Sequence, residues 1–334
     1  MDASVPVVPD LHPETDVIAV GSAIVDVLAQ ATDADLRRLD LVKGTMALID
    51  ADQAERLYAE MGPAVEASGG SAANTVAGVA SFGGRAGFVG KVRDDQLGAV
   101  FAHDIRSIGV AYATPPAPDG PPTARCFVFV TPDAQRTMCT FLGAATHLAA
   151  DDIDVEAVAA ARITYLEGYL WDPPEAIDAL RRAIGAAHAA QRRVAFTLSD
   201  PFCVDRHRAE FLELIEREVD VLFANEIEVM SLFETDDLDK ALDAVRKLCD
   251  TTAVTRSEHG SVVVTGEGRL AVPAAPVAQV ADTTGAGDLY AAGFLFGLAR
   301  GMELRRCAEL GSVAAAEVIS HLGARPQVPL SSLL

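Results

Sequence analysis

Between residues 150 and 272, short apolar runs alternate with longer segments of helical periodicity, and this alternation constrains the fold more than any other feature. The predicted strands are 163–166, 194–198, 221–224 and 253–255, the helices are 175–191, 206–218 and 239–248, and a hairpin follows at 261–265 and 269–272. Strands that alternate with helices form a parallel sheet that the helices cover on both faces. The sequence therefore predicts an α/β fold with a mostly parallel central sheet.

The segments before residue 150 predict a second, smaller sheet. The run at 22–32 alternates as a strand of a more exposed sheet does, and 45–49 is another short strand. A Pro-Asp-Ala-Gln turn joins the β-rich runs 125–131 and 136–142, which is the pattern of a hairpin. A small sheet set over the ends of the central strands would act as a lid.

The chain length fits one large α/β domain with a small appendage. We expect a flexible tail at 1–14 and one domain over 15–334. The predicted lid comprises segments near 22–50 and 110–142.

Composition and charge exclude several classes of partner. Lys and Arg number 27 against 48 Asp and Glu, which gives a formal net charge of −21. Nucleic acids and anionic membrane surfaces both attract basic proteins, so neither is an expected partner. The five cysteines are scattered without metal-like spacing, which predicts reduced thiols and a cytoplasmic location.

The most informative motif is Asp-Thr-Thr-Gly-Ala-Gly-Asp at 282–288, followed by an apolar helical run at 289–298. Backbone N–H groups of Gly285, Ala286 and Gly287 can converge at the start of that helix, where the dipole favours an anion. A carboxylate beside an anion site is electrostatically unfavourable, which suggests that Asp288 has a function. It could take a proton from a hydroxyl that attacks a phosphate. The alternative is an ordinary capped helix start.

A second motif, Gly-Gly-Ser-Ala-Ala-Asn at 69–74, precedes a predicted helix at 72–82. Two glycines allow a tight turn and the close approach of a ligand. The Asn74 amide can both donate and accept, as vicinal hydroxyls require, and Asp26 after the first strand could accept from the same hydroxyls. Taken singly, these residues are better explained as a Gly-Gly turn, a local cap at Asn74 and a turn carboxylate at Asp26.

Two further motifs follow predicted strands. Asn225 and Glu228 open a segment after the strand 221–224, where Glu228 could hold Mg²⁺ through water or simply complement the helix dipole. The loop that begins at Thr255 and ends at Gly260 joins a strand to the closing hairpin. No G-x-x-x-x-G-K-[ST] phosphate loop and no G-x-G-x-x-G fingerprint occurs.

In this order, the motifs resemble those of the ribokinase (PfkB) carbohydrate kinases, and the likeness extends over roughly 16–329. The segments 165–170 and 198–202 are most like the bacterial adenosine kinase-like members of that family. The resemblance implies a ribokinase-like fold and transfer of the ATP γ-phosphate to a primary hydroxyl, with Mg²⁺ and a monovalent cation such as K⁺ as cofactors.

The resemblance also assigns roles to individual residues. Asp288 is the catalytic base, with Gly285, Ala286 and Gly287 as the anion hole. Asp26, Gly70 and Asn74 are implied to bind the acceptor's hydroxyls. Arg136 on the hairpin corresponds to the arginine that some members bring over the transferring phosphate. The residues implied to bind ATP are Asn225, Thr255, Ser257, Gly260 and Gly285. Glu228 is implied to hold Mg²⁺, and Asp282 with Thr284 to hold the monovalent cation. Ser257 stands where the family pattern has a glycine.

Adenosine is the acceptor that the resemblance favours. Phe129, Phe141, Tyr169 and Trp171 could stack on a base, and they are equally credible core residues. A kinase of ribose, fructose or a related furanose is the second hypothesis, and a non-catalytic nucleoside or sugar sensor is the third. The expected partners are ATP and a nucleoside or sugar, bound to a monomer or homodimer.

Overall fold

The computed structural model describes residues 15–133 and 135–334, so the predicted tail at 1–14 lies outside the described residues. The strands are β1 Val17–Val20, β2 Ile24–Gln30, β3 Met46–Leu48, β4 Ala64–Gly69, β5 Ala86–Val89, β6 Val110–Tyr112, β7 Ala124–Val130, β8 Arg136–Phe141, β9 Ile163–Glu167, β10 Arg193–Thr197, β11 Val221–Asn225, β12 Thr251–Thr255, β13 Ser261–Thr265 and β14 Gly268–Val272. The α-helices are α1 Asp33–Arg38, α2 Ala51–Glu60, α3 Ser71–Ser81, α4 Gln96–Ser107, α5 Val155–Ala160, α6 Pro174–Ala189, α7 Pro201–Glu218, α8 Glu226–Leu232, α9 Leu238–Val245, α10 Ala286–Ala299 and α11 Leu304–Val318.

The large sheet has nine strands in the order β14-β13-β12-β11-β10-β9-β1-β5-β6. Pairing is parallel from β12 to β6, and the hairpin β13–β14 adds the antiparallel edge. The predicted mostly parallel central sheet is confirmed. The carboxyl ends of β1, β9, β10 and β11 therefore lie at the same edge of the sheet, where ligands of open α/β sheets bind.

Both faces of this sheet are buried, because successive side chains along each strand enter different cores. In β1, Val17 and Ala19 belong to one hydrophobic cluster, whereas Ile18 and Val20 belong to the other. Such strands read as continuous apolar runs, as a parallel sheet covered on both faces requires. Within the described ranges, no helix is long and apolar enough to cross a membrane.

Helix α10 is buried over most of its length, which explains the apolar run seen in the sequence. It packs between α3 and α11 through small residues. A Cβ at Gly78 would crowd Ala292 and Leu289, and a Cβ at Gly293 would meet the backbone of Leu310. These close contacts bring the starts of α3 and α10 together at one end of the fold.

The small sheet has five strands in the order β3-β8-β7-β2-β4. Two segments differ from the predicted lid. Strand β4 was not predicted, yet it pairs antiparallel with β2. Residues 110–112, which lie at the start of the predicted second lid segment, form β6 and pair parallel with β5 in the large sheet.

Candidate active site

Asp288 lies in the first turn of α10, and each of its carboxylate oxygens accepts one hydrogen bond from α3. The Ser71 hydroxyl donates to Oδ1 at 2.6 Å and the Asn74 amide donates to Oδ2 at 2.9 Å. Burial raises the pKa of Asp288, and these two hydrogen bonds act in the opposite direction. The structure thus brings together the two motifs that the sequence analysis singled out, 69–74 and 282–288.

The turn before α3 depends on its two glycines. Gly70 is the N-cap with φ of 100°, and a Cβ there would overlap the carbonyl of Ser22. A Cβ at Gly69 would overlap the Asp26 carboxylate, so glycine leaves room for that side chain. Burial raises the pKa of Asp26 to about 6, an effect that Arg325 and Arg136 oppose.

Glu167, at the end of β9, fixes this turn, and no role was predicted for it. Its side chain is fully buried, and its two oxygens accept from the backbone N–H groups of Ser22 at 2.7 Å and Ala72 at 2.9 Å. Burial raises its pKa to about 7, and the nearby Asp288 charge adds to the shift. The only sequence signal was a carboxylate at the end of a buried strand.

Arg136 extends from β8 of the small sheet to the loop before α10. Its guanidinium forms an ion pair with the Asp282 carboxylate and donates to the Thr284 hydroxyl at 3.0 Å. Asp282 also accepts from the backbone N–H of Thr284 at 3.0 Å and of Gly323 at 2.9 Å. The small sheet is thereby tied to the glycine-rich loop.

These contacts involve both residues of the predicted monovalent cation site, which stays a prediction. A guanidinium already neutralises the buried Asp282 carboxylate, and the Thr284 hydroxyl accepts from the same group. A second cation at these two side chains would be repelled by the arginine. A monovalent cation at these side chains would therefore require Arg136 to move away from Asp282.

A cavity of about 730 Å³ opens on one side of Asp288. Four of the residues predicted to bind ATP line it: Asn225, Thr255, Ser257 and Gly260. Ala286 and Gly287 line it as well, so the predicted anion hole and the predicted nucleotide residues share one space. Part of the lining is apolar, with Ala274, Ala275, Val277, Val280, Ala315, Ala316 and Ile319.

Gly285, Gly287 and Ser257, three positions where the family pattern has glycine, differ in backbone conformation and in the space around them. Gly285 has φ of 78° and packs against Ala324, so its role in the structure is to shape the turn. A Cβ at Gly287 would have no described atom within 4 Å, which leaves open space beside the helix start. Ser257 has φ of 47°, the left-handed backbone that the family's glycine adopts without strain.

Glu228 and Asn225 form a capping box at the start of α8. The Asn225 side chain donates to Glu228 Oε1 at 2.6 Å, its backbone N–H donates to Oε2 at 2.9 Å, and its Oδ1 accepts from the Glu228 N–H. Glu228 therefore lies in the first turn of a helix, as the helix-dipole alternative requires, and it also lines the cavity. Burial raises the pKa of Glu228 to about 7.

The four aromatic residues that could stack on a base differ in how far they are buried. Phe129 lies in the core, and Trp171 packs edge-on against Phe196 and Phe211. Phe141 is half-buried against the same core cluster as Phe129. Tyr169 is the most exposed of the four, and its hydroxyl donates to the backbone carbonyl of Ser199, which lines the cavity.

The fold, together with a carboxylate beside a glycine-rich helix start, indicates phosphoryl transfer to an alcohol. The sequence pattern of the pfkB family carbohydrate kinases matches residues 41–330, and the chain belongs to that family. It is a phosphotransferase with an alcohol group as acceptor, and kinases of this family use ATP with a divalent metal ion.

Three proteins illustrate how similar this chain is to known kinases in sequence and structure. The crystal structure of adenosine kinase from Sinorhizobium meliloti is 54% identical, with a TM-score of 0.90 over 96% of this chain and 98% of that one. A probable sugar kinase from Rhizobium etli is 49% identical, also with a TM-score of 0.90, over 96% and 97%. Adenosine kinase from Saccharomyces cerevisiae is 27% identical over 92% of this chain and 95% of its own length.

Proposed function

We propose that this protein is a nucleoside kinase that transfers the γ-phosphate of ATP to the 5′-hydroxyl of adenosine and so forms AMP. The observation that carries the choice of a nucleoside is an apolar sheet face beside the proposed hydroxyl-binding residues. The likeness to two adenosine kinases supports the same choice.

That face belongs to the small sheet. Asp26 lies directly opposite Cys126, and Arg136 is opposite Val130, so all four side chains project from the same face of the sheet. The apolar residues of this face are Ile24, Leu28, Cys126, Val128, Val130 and Met138. Ile24, Leu28 and Met138 of this face are only partly buried, and the base of a nucleoside, which a free furanose lacks, could cover them.

In the proposed reaction, Asp288 accepts the proton of the acceptor's primary hydroxyl. Each of its oxygens has a lone pair left after the bonds from Ser71 and Asn74, because an ionised carboxylate offers about four acceptor sites. The raised pKa makes it a stronger base than an exposed aspartate. Asn74 and Asp26 hold the acceptor's other hydroxyls, with Gly70 allowing their close approach.

The nucleotide is proposed to occupy the 730 Å³ cavity, with its phosphates at Ala286 and Gly287 and its base against the apolar part of the lining. The open space at Gly287 suits a phosphate, which the helix N-terminus would stabilise. Arg136 is proposed to exchange its contact with Asp282 for the transferring phosphate as the small sheet closes and excludes water.

The donor set of this cavity fits Mg²⁺ bound mainly through water and phosphate. Among the described residues no group of three or more metal-binding side chains occurs, and Glu228 is the buried carboxylate that lines the space. Mg²⁺ typically keeps several waters and needs few protein carboxylates. When bound, the ion would neutralise charge on the phosphates.

A sugar kinase is the second candidate, supported by the likeness to the Rhizobium etli protein. The deciding experiment compares kcat/KM for adenosine, inosine, ribose and fructose at fixed MgATP, with Asp288→Asn as the inactive control. We expect adenosine to be the best of the four, since stacking of a base is worth roughly 1–3 kcal/mol. A free sugar that exceeds adenosine tenfold would overturn the nucleoside proposal.

We further propose that the protein acts in the cytoplasm as a monomer or homodimer. The five cysteines are all unpaired and buried, which suits a reducing compartment. Sedimentation at several concentrations would determine the oligomeric state.

A further inference from the structure

The segment after α11 contacts both halves of the proposed acceptor site. Gly323 donates its backbone N–H to Asp282 at 2.9 Å, and Ala324 packs against Gly285. The next residue, Arg325, extends instead to the turn before α3. The segment therefore connects the glycine-rich loop of α10 with the turn that carries Asn74.

The Arg325 guanidinium makes its hydrogen bonds with uncharged acceptors. Nε and Nη2 donate to the Ser68 carbonyl at 3.1 and 2.9 Å, Nη2 also donates to the Ser68 hydroxyl at 3.0 Å, and Nη1 donates to the Ala73 carbonyl at 2.6 Å. Ser68 precedes Gly69, which packs on Asp26, and Ala73 precedes Asn74, which binds Asp288. Because the guanidinium is planar and rigid, it fixes the two ends of this turn relative to each other.

Within the described part of the chain, the Arg325 guanidinium forms no ion pair with a carboxylate, so its positive charge is not neutralised by direct contact. Asp104 is linked to it indirectly, because Asp104 accepts from the Ser68 N–H at 2.8 Å and hydroxyl at 2.6 Å. Burial lowers the pKa of Arg325 to about 10, and Asp104, Asp26 and Asp288 oppose that shift. The guanidinium therefore stays charged at neutral pH.

We propose that Arg325 is a positioning residue for phosphoryl transfer, which clamps the turn at 68–73 and places a positive charge beside the turn that contacts both Asp26 and Asp288. This inference rests on the proposed function of Asp288 as the base. Such a charge has a physical reason, because two carboxylates in one partly buried site disfavour each other's ionisation.

The surroundings of Asp288 contain more acids than bases. Asp26 lies on β2, Tyr165 and Glu167 on β9, Glu228 on α8 and Tyr169 just after β9, and the Asp288 charge raises the pKa of each of these five groups. Arg136 and Arg325 are the cations that lower the pKa of Asp26, and Arg325 lowers that of Asp288. Removal of Arg325 should therefore raise the pKa of the catalytic carboxylate.

The test measures kcat/KM for the acceptor against pH at saturating MgATP in four proteins: wild type, Arg325→Gln, Arg325→Lys and Arg306→Gln. Arg306 is a matched control, because it lies on the exposed side of α11 and pairs with Glu309. We expect Arg325→Gln to move the acidic limb up by about one pH unit, the low end of what a nearby opposite charge produces. Arg325→Lys should keep the limb while the plateau falls, and Arg306→Gln should change neither.

An acidic limb of Arg325→Gln that coincides with wild type would overturn the proposed role of the charge, as would an equal shift in Arg325→Lys. If Arg325→Gln does not unfold cooperatively, Arg325→Lys decides, since an unshifted limb with a lower plateau supports the proposal and a shifted limb refutes it. A wild-type protein that phosphorylates none of the acceptors contradicts the proposed function itself. An active wild type with coincident profiles contradicts the role of Arg325 alone.

Discussion

Replacement of Glu228 by glutamine should stabilise the protein at pH 8 while it lowers kinase activity. The Glu228 side chain is buried, and its pKa is raised from 4.5 to about 7. A carboxyl with a raised pKa in the folded state contributes stability below its unfolded pKa and loses it as the pH rises through the folded value. At pH 8 the ionised group therefore lowers the free energy of unfolding.

The size of the effect follows from the shift. A difference between 4.5 and about 7 corresponds to roughly 3 kcal/mol at a pH above both values. Glutamine keeps one of the two bonds that Asn225 donates, and the lost bond costs about 1 kcal/mol. The net gain of about 2 kcal/mol should raise Tm by about 3 °C for a chain of this size. At pH 5.5 most of the gain disappears, because the wild-type carboxyl is then protonated in the folded state.

Differential scanning calorimetry at pH 8 and pH 5.5, without ligands, measures this difference. Glu226→Gln is the control, since it removes the same charge from the same first turn of α8 at a half-exposed side chain. Its Tm should be the same as wild type, or slightly lower, at both pH values. If Glu228→Gln lowers Tm equally at pH 8 and pH 5.5, the carboxylate contributes stability and the argument from burial is wrong.

Five further substitutions test the site itself. Asp288→Asn should lower kcat by about 10²–10⁴-fold with binding retained, as loss of a general base does, and activity within a few-fold of wild type would contradict its role. Asn74→Ala and Asp26→Ala should each raise KM for the acceptor, since a charged hydrogen bond is worth about 1.5–3 kcal/mol, and unchanged KM values would place the hydroxyl pocket elsewhere. Gly287→Ala should fold normally but bind ATP more weakly, because its Cβ enters the open space where a phosphate is proposed. Gly285→Ala should instead lower the free energy of unfolding by about 1–3 kcal/mol, because φ at this position is 78°. Binding measurements and urea melts of the two variants would show whether the two glycines differ in this way.

Local patterns in the sequence predicted the central strands and the starts of α3 and α10, whereas α1, α2, α5 and β4 were not predicted. The apolar runs predicted the central strands, and Gly285 with the small-residue run predicted the buried helix α10. A helix start at Asn225 and Glu228 was one of two stated alternatives, with the acid complementing the helix dipole, and the capping box found there involves residues only three positions apart. Such features depend on periodicity and on contacts within one turn, which neighbouring residues specify.

The tertiary structure alone decided which distant residues complete the site. Arg325 and Ser68 are 257 positions apart, and Glu167 and Ala72 are 95 apart, so no local pattern marks either pair. The same holds for β4, whose place in the small sheet depends on its pairing with β2. Sequence spacing does not encode strand order or the packing of one helix on another, and these set where a buried charge finds its partners.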